Sequence, residues 1–334
     1  MWRRIVRWVL TLAIVTPLAA AGGAWVWWQV GPPESAKSRG VNGIWMRHQW
    51  VGEPHSEADY DRMADRLKEA EISDAFFHSG PFEGDGTVDP AKYGNATTLL
   101  AELQERAPDV RAQAYLGQVE RRGGGPLDIS NEATRANVVR TAEAFLDLGF
   151  DGIHYDIEPI YPDDDDFLLL LTETRRVTQA RGKTLSTAIE QMETVPGSQR
   201  LVSKVVDRYH DPTKRYLQQI ARRVDQVAIM TYDTGMPADF LFGAHMAWQT
   251  EHVVEAVHEA TNGATTVFMG VPTYDYDNLG FHPRAENVAS GVWGVRKGMA
   301  RLPKDKTANV GIALYPEWTM SDDDWSQFID GWVR

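Results

Sequence analysis

Three ionisable residues, His154, Asp156 and Glu158, fall at alternate positions in the run Asp151-Gly152-Ile153-His154-Tyr155-Asp156-Ile157-Glu158-Pro159. Alternate side chains of a β-strand share a face, so these three point one way and Ile153, Tyr155 and Ile157 the other. Burying one unpaired charge is costly or shifts its pKa, and three in a row on one strand face require a reason. In a barrel the apolar set meets the helices, which leaves the three ionisable groups pointing into the barrel mouth. The rival is an inward salt-bridge network, but Arg and Lys partners are scarce at the ends of the other strands. Asp151 has the opposite parity and sits at the strand start, where a turn hydrogen bond suits it as well as a place in the site. Asp163–Asp166 opens a helix, whose dipole favours acidic residues at that end, and is not read as a cation site.

The elements that must position these groups alternate along the chain. Strands are expected at Gly43–Trp50, Asp74–His78, Arg111–Leu116, Gly152–Glu158, Thr184–Ile189, Gln226–Tyr232, Thr266–Pro272 and Val310–Tyr315. Helical patterns follow near 57–70, 90–106, 131–147, 164–180, 213–223, 250–261, 285–300 and 322–332, with Ser56, Pro90, Ser130 or Asn131, and Ser321 as start signals. Eight strand–helix units with parallel pairing predict an α/β fold of the (β/α)8 TIM-barrel type over residues 41–334. A doubly wound sheet would need a phosphate-binding glycine turn after its first strand, and Trp45-Met46-Arg47-His48 is not one. In such barrels the chemistry sits at the carboxyl ends of the strands. Those ends carry Trp45, His48, His78, Gln118, Glu190, Gln191, Tyr232, Asp233, Tyr274, Glu317 and Trp318 as further candidates.

The chain of 334 residues carries 34 Lys and Arg against 47 Asp and Glu, a formal charge of −13, which disfavours a nucleic-acid partner. It has no cysteine, so disulfides, thiolate metal sites and a lipoprotein anchor are excluded. The histidines offer no metal-ligand pair at a strand end, and no cofactor is expected. Residues 1–30 read as a membrane anchor. Trp8–Val30 is uncharged, Arg3, Arg4 and Arg7 precede it, and Trp2, Trp8, Trp25, Trp27 and Trp28 stand at its two ends like interfacial belts. The small residues Ala19-Ala20-Ala21 also suit a cleaved signal peptide. Either way the barrel is expected outside the cytoplasmic membrane, behind a polar linker at 31–40, as a monomer.

At these residues the sequence resembles glycoside hydrolase family 18, the chitinase and endo-β-N-acetylglucosaminidase type. The family signature Asp-Gly-x-Asp-x-Asp-x-Glu is similar to Asp151-Gly152-Ile153-His154-Tyr155-Asp156-Ile157-Glu158. Met230-Thr231-Tyr232-Asp233 matches its Met-x-Tyr-Asp, Gly270-Val271-Pro272-Thr273-Tyr274 its Gly-x-Pro-x-Tyr, and Trp318 its tryptophan after the eighth strand. The resemblance implies hydrolysis of a glycan containing β-linked N-acetylglucosamine, with Glu158 as general acid and the substrate's own acetamido oxygen as nucleophile, a known exception to the two-carboxylate scheme. It implies that Asp156 accepts the acetamide N–H, that Tyr232 holds the acetamide oxygen and that Trp318 floors the sugar, with Asp233, Trp45, Tyr274 and Asp151 in substrate contact.

Two departures stand out. His154 replaces the middle aspartate of the signature, where it is expected to hydrogen-bond Asp156 and, as imidazolium, to keep that carboxylate ionised. The third strand offers Tyr115-Leu116-Gly117-Gln118 in place of the family's Ser-x-Gly-Gly. Two other functions therefore stand beside the first: a glycan-binding barrel without catalysis, and a glycosidase pairing Glu158 with another carboxylate such as Glu190 or Glu317.

Overall fold

In a computed structural model describing residues 22–123, 125–194, 211–276 and 280–334, eight parallel strands close into a barrel in chain order. The strands are β1 Gly43–Met46, β2 Asp74–His78, β3 Arg111–Val119, β4 Gly152–Glu158, β5 Thr184–Glu190, β6 Gln226–Met230, β7 Thr266–Pro272 and β8 Val310–Tyr315. The helices that follow them are α1 Glu57–Glu69, α2 Ala96–Arg106, α3 Glu132–Leu148, α4 Asp165–Ala180, α5 Lys214–Ala221, α6 Asp239–Thr261, α7 Val288–Met299 and α8 Asp322–Phe328. Side-chain caps start many of them where the sequence signals them: Ser56 and Ser321 close capping boxes, and Asn131 and Asp164 accept first-turn amides.

The alternation of β4 holds. Ile153, Tyr155 and Ile157 are buried in the layer between barrel and helices, where the Tyr155 hydroxyl meets Thr174 of α4 at 2.9 Å. His154, Asp156 and Glu158 take the inner face. The barrel interior below them is closed by Trp45, Phe76, Ala188, Ala228, Phe268 and Ala313. Strand β3 pairs with β4 up to its last residue, matching Gly117 to Asp156 and Val119 to Glu158. Gly117 is needed there, because a Cβ would stand 2.6 Å from the Asp156 carbonyl oxygen.

Several boundaries differ from the sequence expectation, each for a local reason. Strand β1 stops at Met46 because His48, whose Nδ1 lies 3.0 Å from the His78 carbonyl, begins a helical turn at Gln49–Gly52. Helix α6 starts at Asp239 instead of near 250, for the apolar residues of its first half are not confined to its buried face: beside Phe242, Gly243, Met246 and Ala247 stand Phe240, Leu241, Ala244 and Trp248 on the other side. The stretch expected as a linker is held to the barrel, with Arg296 of α7 donating to the carbonyls of Ala36 and Gly331. Most of the expected span Trp8–Val30 lies outside the described residues. In its last turns Trp27 and Trp28 pack on Trp293 of α7 at 4.9 and 4.4 Å between ring centroids. Among the described residues no helix is long and apolar enough to cross a membrane.

Candidate active site

A cavity of about 330 Å³ opens at the carboxyl ends of the strands. Trp45 and Tyr315 form its aromatic side, Tyr232 and Asp233 come from the end of β6, and Asp156, Glu158 and Glu190 face it from β4 and β5. A hollow of about 520 Å³ lies elsewhere, between Pro32, α7 and α8 on the helical shell, remote from the strand ends.

The carboxyls are arranged to hold a proton. The negative charge of Asp156 is the main cause that pushes Glu158 well above its ordinary value, and burial adds to it. Asp156 is itself fixed by a neighbouring strand. The Tyr115 hydroxyl donates to its Oδ2 at 2.5 Å, while its Oδ1 is buried with no partner among the described residues. Burial pushes Glu190 up to about 8, and its Oε2 is likewise buried and unpartnered. Tyr232 stacks on Tyr315 with ring centroids 5.2 Å apart and planes 7° from parallel. Burial foremost, then Tyr315 and Asp156, keep the Tyr232 phenol protonated far above neutrality. Asp233 adopts a left-handed backbone, φ 59°, and accepts from the Tyr274 hydroxyl at 2.8 Å.

Three expectations are corrected. His154 does not touch Asp156, for both of its ring nitrogens are already engaged. Trp45 Nε1 donates to Nε2 at 3.0 Å, and Ser186 Oγ lies 2.7 Å from Nδ1. Since Trp45 can only donate, Nε2 accepts and Nδ1 carries the hydrogen. Ser186 passes the chain on to Gln113, which meets Asp74 and Gln226 at the floor of the barrel. Stacked on Phe76 at 3.9 Å and fully buried, His154 is pushed down to about 3 and is neutral, not an imidazolium. Asp151 is at the opposite end of β4, where it pairs with Lys183 at 3.0 Å and accepts from the Ala112 amide, so it is not a substrate ligand. Trp318 is 41% exposed in the turn after β8, edge-on to Tyr315, and is not among the residues lining the cavity, whose aromatic side is formed by Trp45 and Tyr315.

The remaining rim candidates divide. Gln191 lines the cavity and meets His245 at 2.6 Å, whereas Gln118 turns away to the Phe82 carbonyl and Glu317 pairs with Arg47. Burial pushes His78 down to about 4, beside Tyr115. Tyr115, Tyr315 and Tyr276 are site residues that sequence reasoning missed. Parity held the signal for the first, since Tyr115 shares the inward face of β3 with Gln113 and pairs with His154.

The sequence model of the glycosyl hydrolases family 18 matches residues 123–310, more than half of the chain and including β4 to β7. The chain belongs to that family. It is a glycosidase. Solved structures share the fold of this family 18 enzyme at low sequence identity. A class V chitinase from Pseudomonas fluorescens Pf-5 is 14% identical with a TM-score of 0.58, covering 87% of this chain and 99% of that one. The spore cortex-lytic enzyme SleL of Bacillus cereus is 13% identical with a TM-score of 0.56, covering 87% and 74%. A Group IV chitinase from Ostrinia furnacalis is 16% identical with a TM-score of 0.54, covering 87% and 98%. No curated protein matches the sequence.

Proposed function

We propose that the enzyme hydrolyses β-linked N-acetylhexosaminides with retention, using the substrate's acetamido group as nucleophile. The observation that carries this reading is the pair Asp156 and Glu158 in one cavity with the Tyr232 phenol. Glu158, held protonated beside Asp156, gives its proton to the glycosidic oxygen as the C1–O bond breaks. The acetamido oxygen closes on C1 to form an oxazolinium ion. Asp156 Oδ1, buried and unpartnered, accepts the acetamide N–H, and its charge offsets the positive charge that develops on the ring. Tyr232 donates to the acetamido oxygen. Glu158, now a carboxylate, takes the proton of the water that opens the oxazolinium. Intramolecular attack carries effective molarities of about 10⁵–10⁸ M, so no second carboxylate nucleophile is required.

Glu158→Gln preserves the shape of the donor without its proton. Turnover of N-acetylglucosamine oligomers is expected to fall by about 10²–10⁴-fold with the melting temperature retained. A thiazoline analogue of the oxazolinium should inhibit competitively. Undiminished hydrolysis by the variant removes Glu158 from the mechanism, and no inhibition by the analogue favours a protein nucleophile. For residues 1–30, the uncharged run Trp8–Val30 supports an anchor that places the barrel outside the cytoplasmic membrane. Fractionation of the full chain tests it, and recovery in the soluble cytoplasm would refute it.

A further inference from the structure

Five of the residues lining the cavity are carboxylic, Asp156, Glu158, Glu190, Asp211 and Asp233, and among the described residues none of its walls is Lys or Arg. The proposed reaction uses two of them. A neutral glycan supplies hydroxyls and amides to the rest but no charge. The cost is visible at Glu190, which ends β5 in the cavity wall with Oε2 buried and unpartnered. Its carboxyl is held as the neutral acid at pH 7, pushed up to about 8 by burial first and then by Asp211 and Asp156. Asp233, just beyond the neighbouring strand β6, lines the same cavity and adds a second acidic group whose charge also acts on Glu158. A cation brought into this space would lower the pKa of each carboxyl it met and replace like-charge repulsion with charge-assisted hydrogen bonds.

We propose that the cavity selects a glycan in which the N-acetylhexosamine being cleaved is β-linked next to a hexosamine carrying a free 2-ammonium group, with Glu190 as the residue that receives that ammonium. This inference rests on the glycosidase reading of the same cavity. The 2-ammonium differs from the 2-acetamide by one acetyl group, so the two sugars share shape and linkage and differ in charge, which is what an acidic wall discriminates. Glu190 contacts substrate in this reading but takes no proton from the reacting bond. Its role is specificity.

The test compares matched substrates. One pair is a fully N-acetylated chitooligosaccharide and its partially N-deacetylated counterpart. The other is a peptidoglycan glycan strand before and after N-deacetylation of its glucosamine. The wild-type enzyme is expected to favour the deacetylated member of at least one pair by about tenfold or more in kcat/KM, the scale of one charge-assisted hydrogen bond. The pair that shows the preference names the source of the amine. The preference should weaken as salt is raised to 0.5 M. Glu190→Gln should bring the ratio to within about threefold of unity, and Glu190→Asp, which keeps a carboxyl that the ammonium can ionise, should retain part of it. The same ratios are read as binding constants by calorimetry on the Glu158→Gln variant. A preference in binding without hydrolysis by the wild type overturns the catalytic reading and leaves this inference standing. Hydrolysis without preference in either pair, or a preference untouched by Glu190→Gln, overturns the inference alone.

Discussion

The Tyr115 hydroxyl and Asp156 Oδ2 are 2.5 Å apart, a bond from the third strand to the acid pair on the fourth. It holds one oxygen of Asp156 and leaves the other unpartnered among the described residues. Tyr115 cannot ionise to compete, since burial and then the charge of Asp156 keep its phenol protonated. Tyr115→Phe leaves Asp156 with two unpartnered oxygens and freedom to turn. A hydrogen bond to a charged group contributes about 1.5–3 kcal/mol, so kcat is expected to fall by about 10–100-fold while KM changes little. Steady-state kinetics on N-acetylglucosamine oligomers checks this. A change confined to KM would show that the bond serves binding instead.

The alkaline side of the pH–rate profile should report Glu158. In the proposed mechanism its proton is the catalytic one, so kcat/KM is expected to be highest while the carboxyl is protonated and to fall as pH rises through its raised pKa. Asp156 is the largest cause of that shift. Asp156→Asn removes the charge and must move the alkaline limb to lower pH, in addition to lowering the rate. An alkaline limb that stays in place in Asp156→Asn belongs to another group.

The barrel was legible because each β–α unit carries its own signals, and β4 most of all: its alternating apolar and ionisable residues can satisfy only one orientation. Tyr232 and Asp233 were legible as polar residues just beyond a buried strand. The position of His154 on the inner face was legible, but its partners were not. They come from β1 and β5, far away in sequence, and the Trp45 Nε1 that reaches it is a matter of side-chain rotamer rather than of spacing. Trp318 misled because its place after β8 does not say which way a short turn directs an indole. The length of α6 was hidden because apolar residues on both sides of its first half leave no stripe in the sequence, although one side is buried.

Stability should fall as pH rises from about 4.5 to about 8 through Glu120. This carboxyl, at 2% exposure, has both oxygens buried without a partner among the described residues. Burial, and next the charge of Asp164, push it from 4.5 up to about 8. A raised folded-state pKa contributes stability that is complete below pH 4.5 and is lost as pH rises through 8. Glu120→Gln keeps the shape and cannot ionise. Between pH 6 and 9 the wild type is expected to lose a few degrees of melting temperature more than the variant, equivalent to roughly 1–2 kcal/mol after solvent screening. Calorimetric scans across that range measure the difference. Parallel curves would mean that Glu120 titrates normally.

His154 separates a structural histidine from a catalytic one. Its folded pKa, pushed down to about 3 by burial, lies below the ordinary 6.5. Its contribution to stability is therefore complete above pH 6.5 and is lost as pH falls toward 3, because the unfolded chain takes up a proton that the folded one refuses. His154→Phe preserves the stack on Phe76 but leaves the Trp45 indole N–H buried without an acceptor, at a cost of about 1–3 kcal/mol at pH 7. In urea melts the gap between wild type and variant should narrow as pH is lowered to 5, since only the wild type suffers the protonation penalty at this position. The acid limb of kcat/KM should keep its position, for a neutral imidazole that touches neither Asp156 nor the cavity carries no charge to lose. An acid limb that shifts in His154→Phe would return the residue to the chemistry of the site.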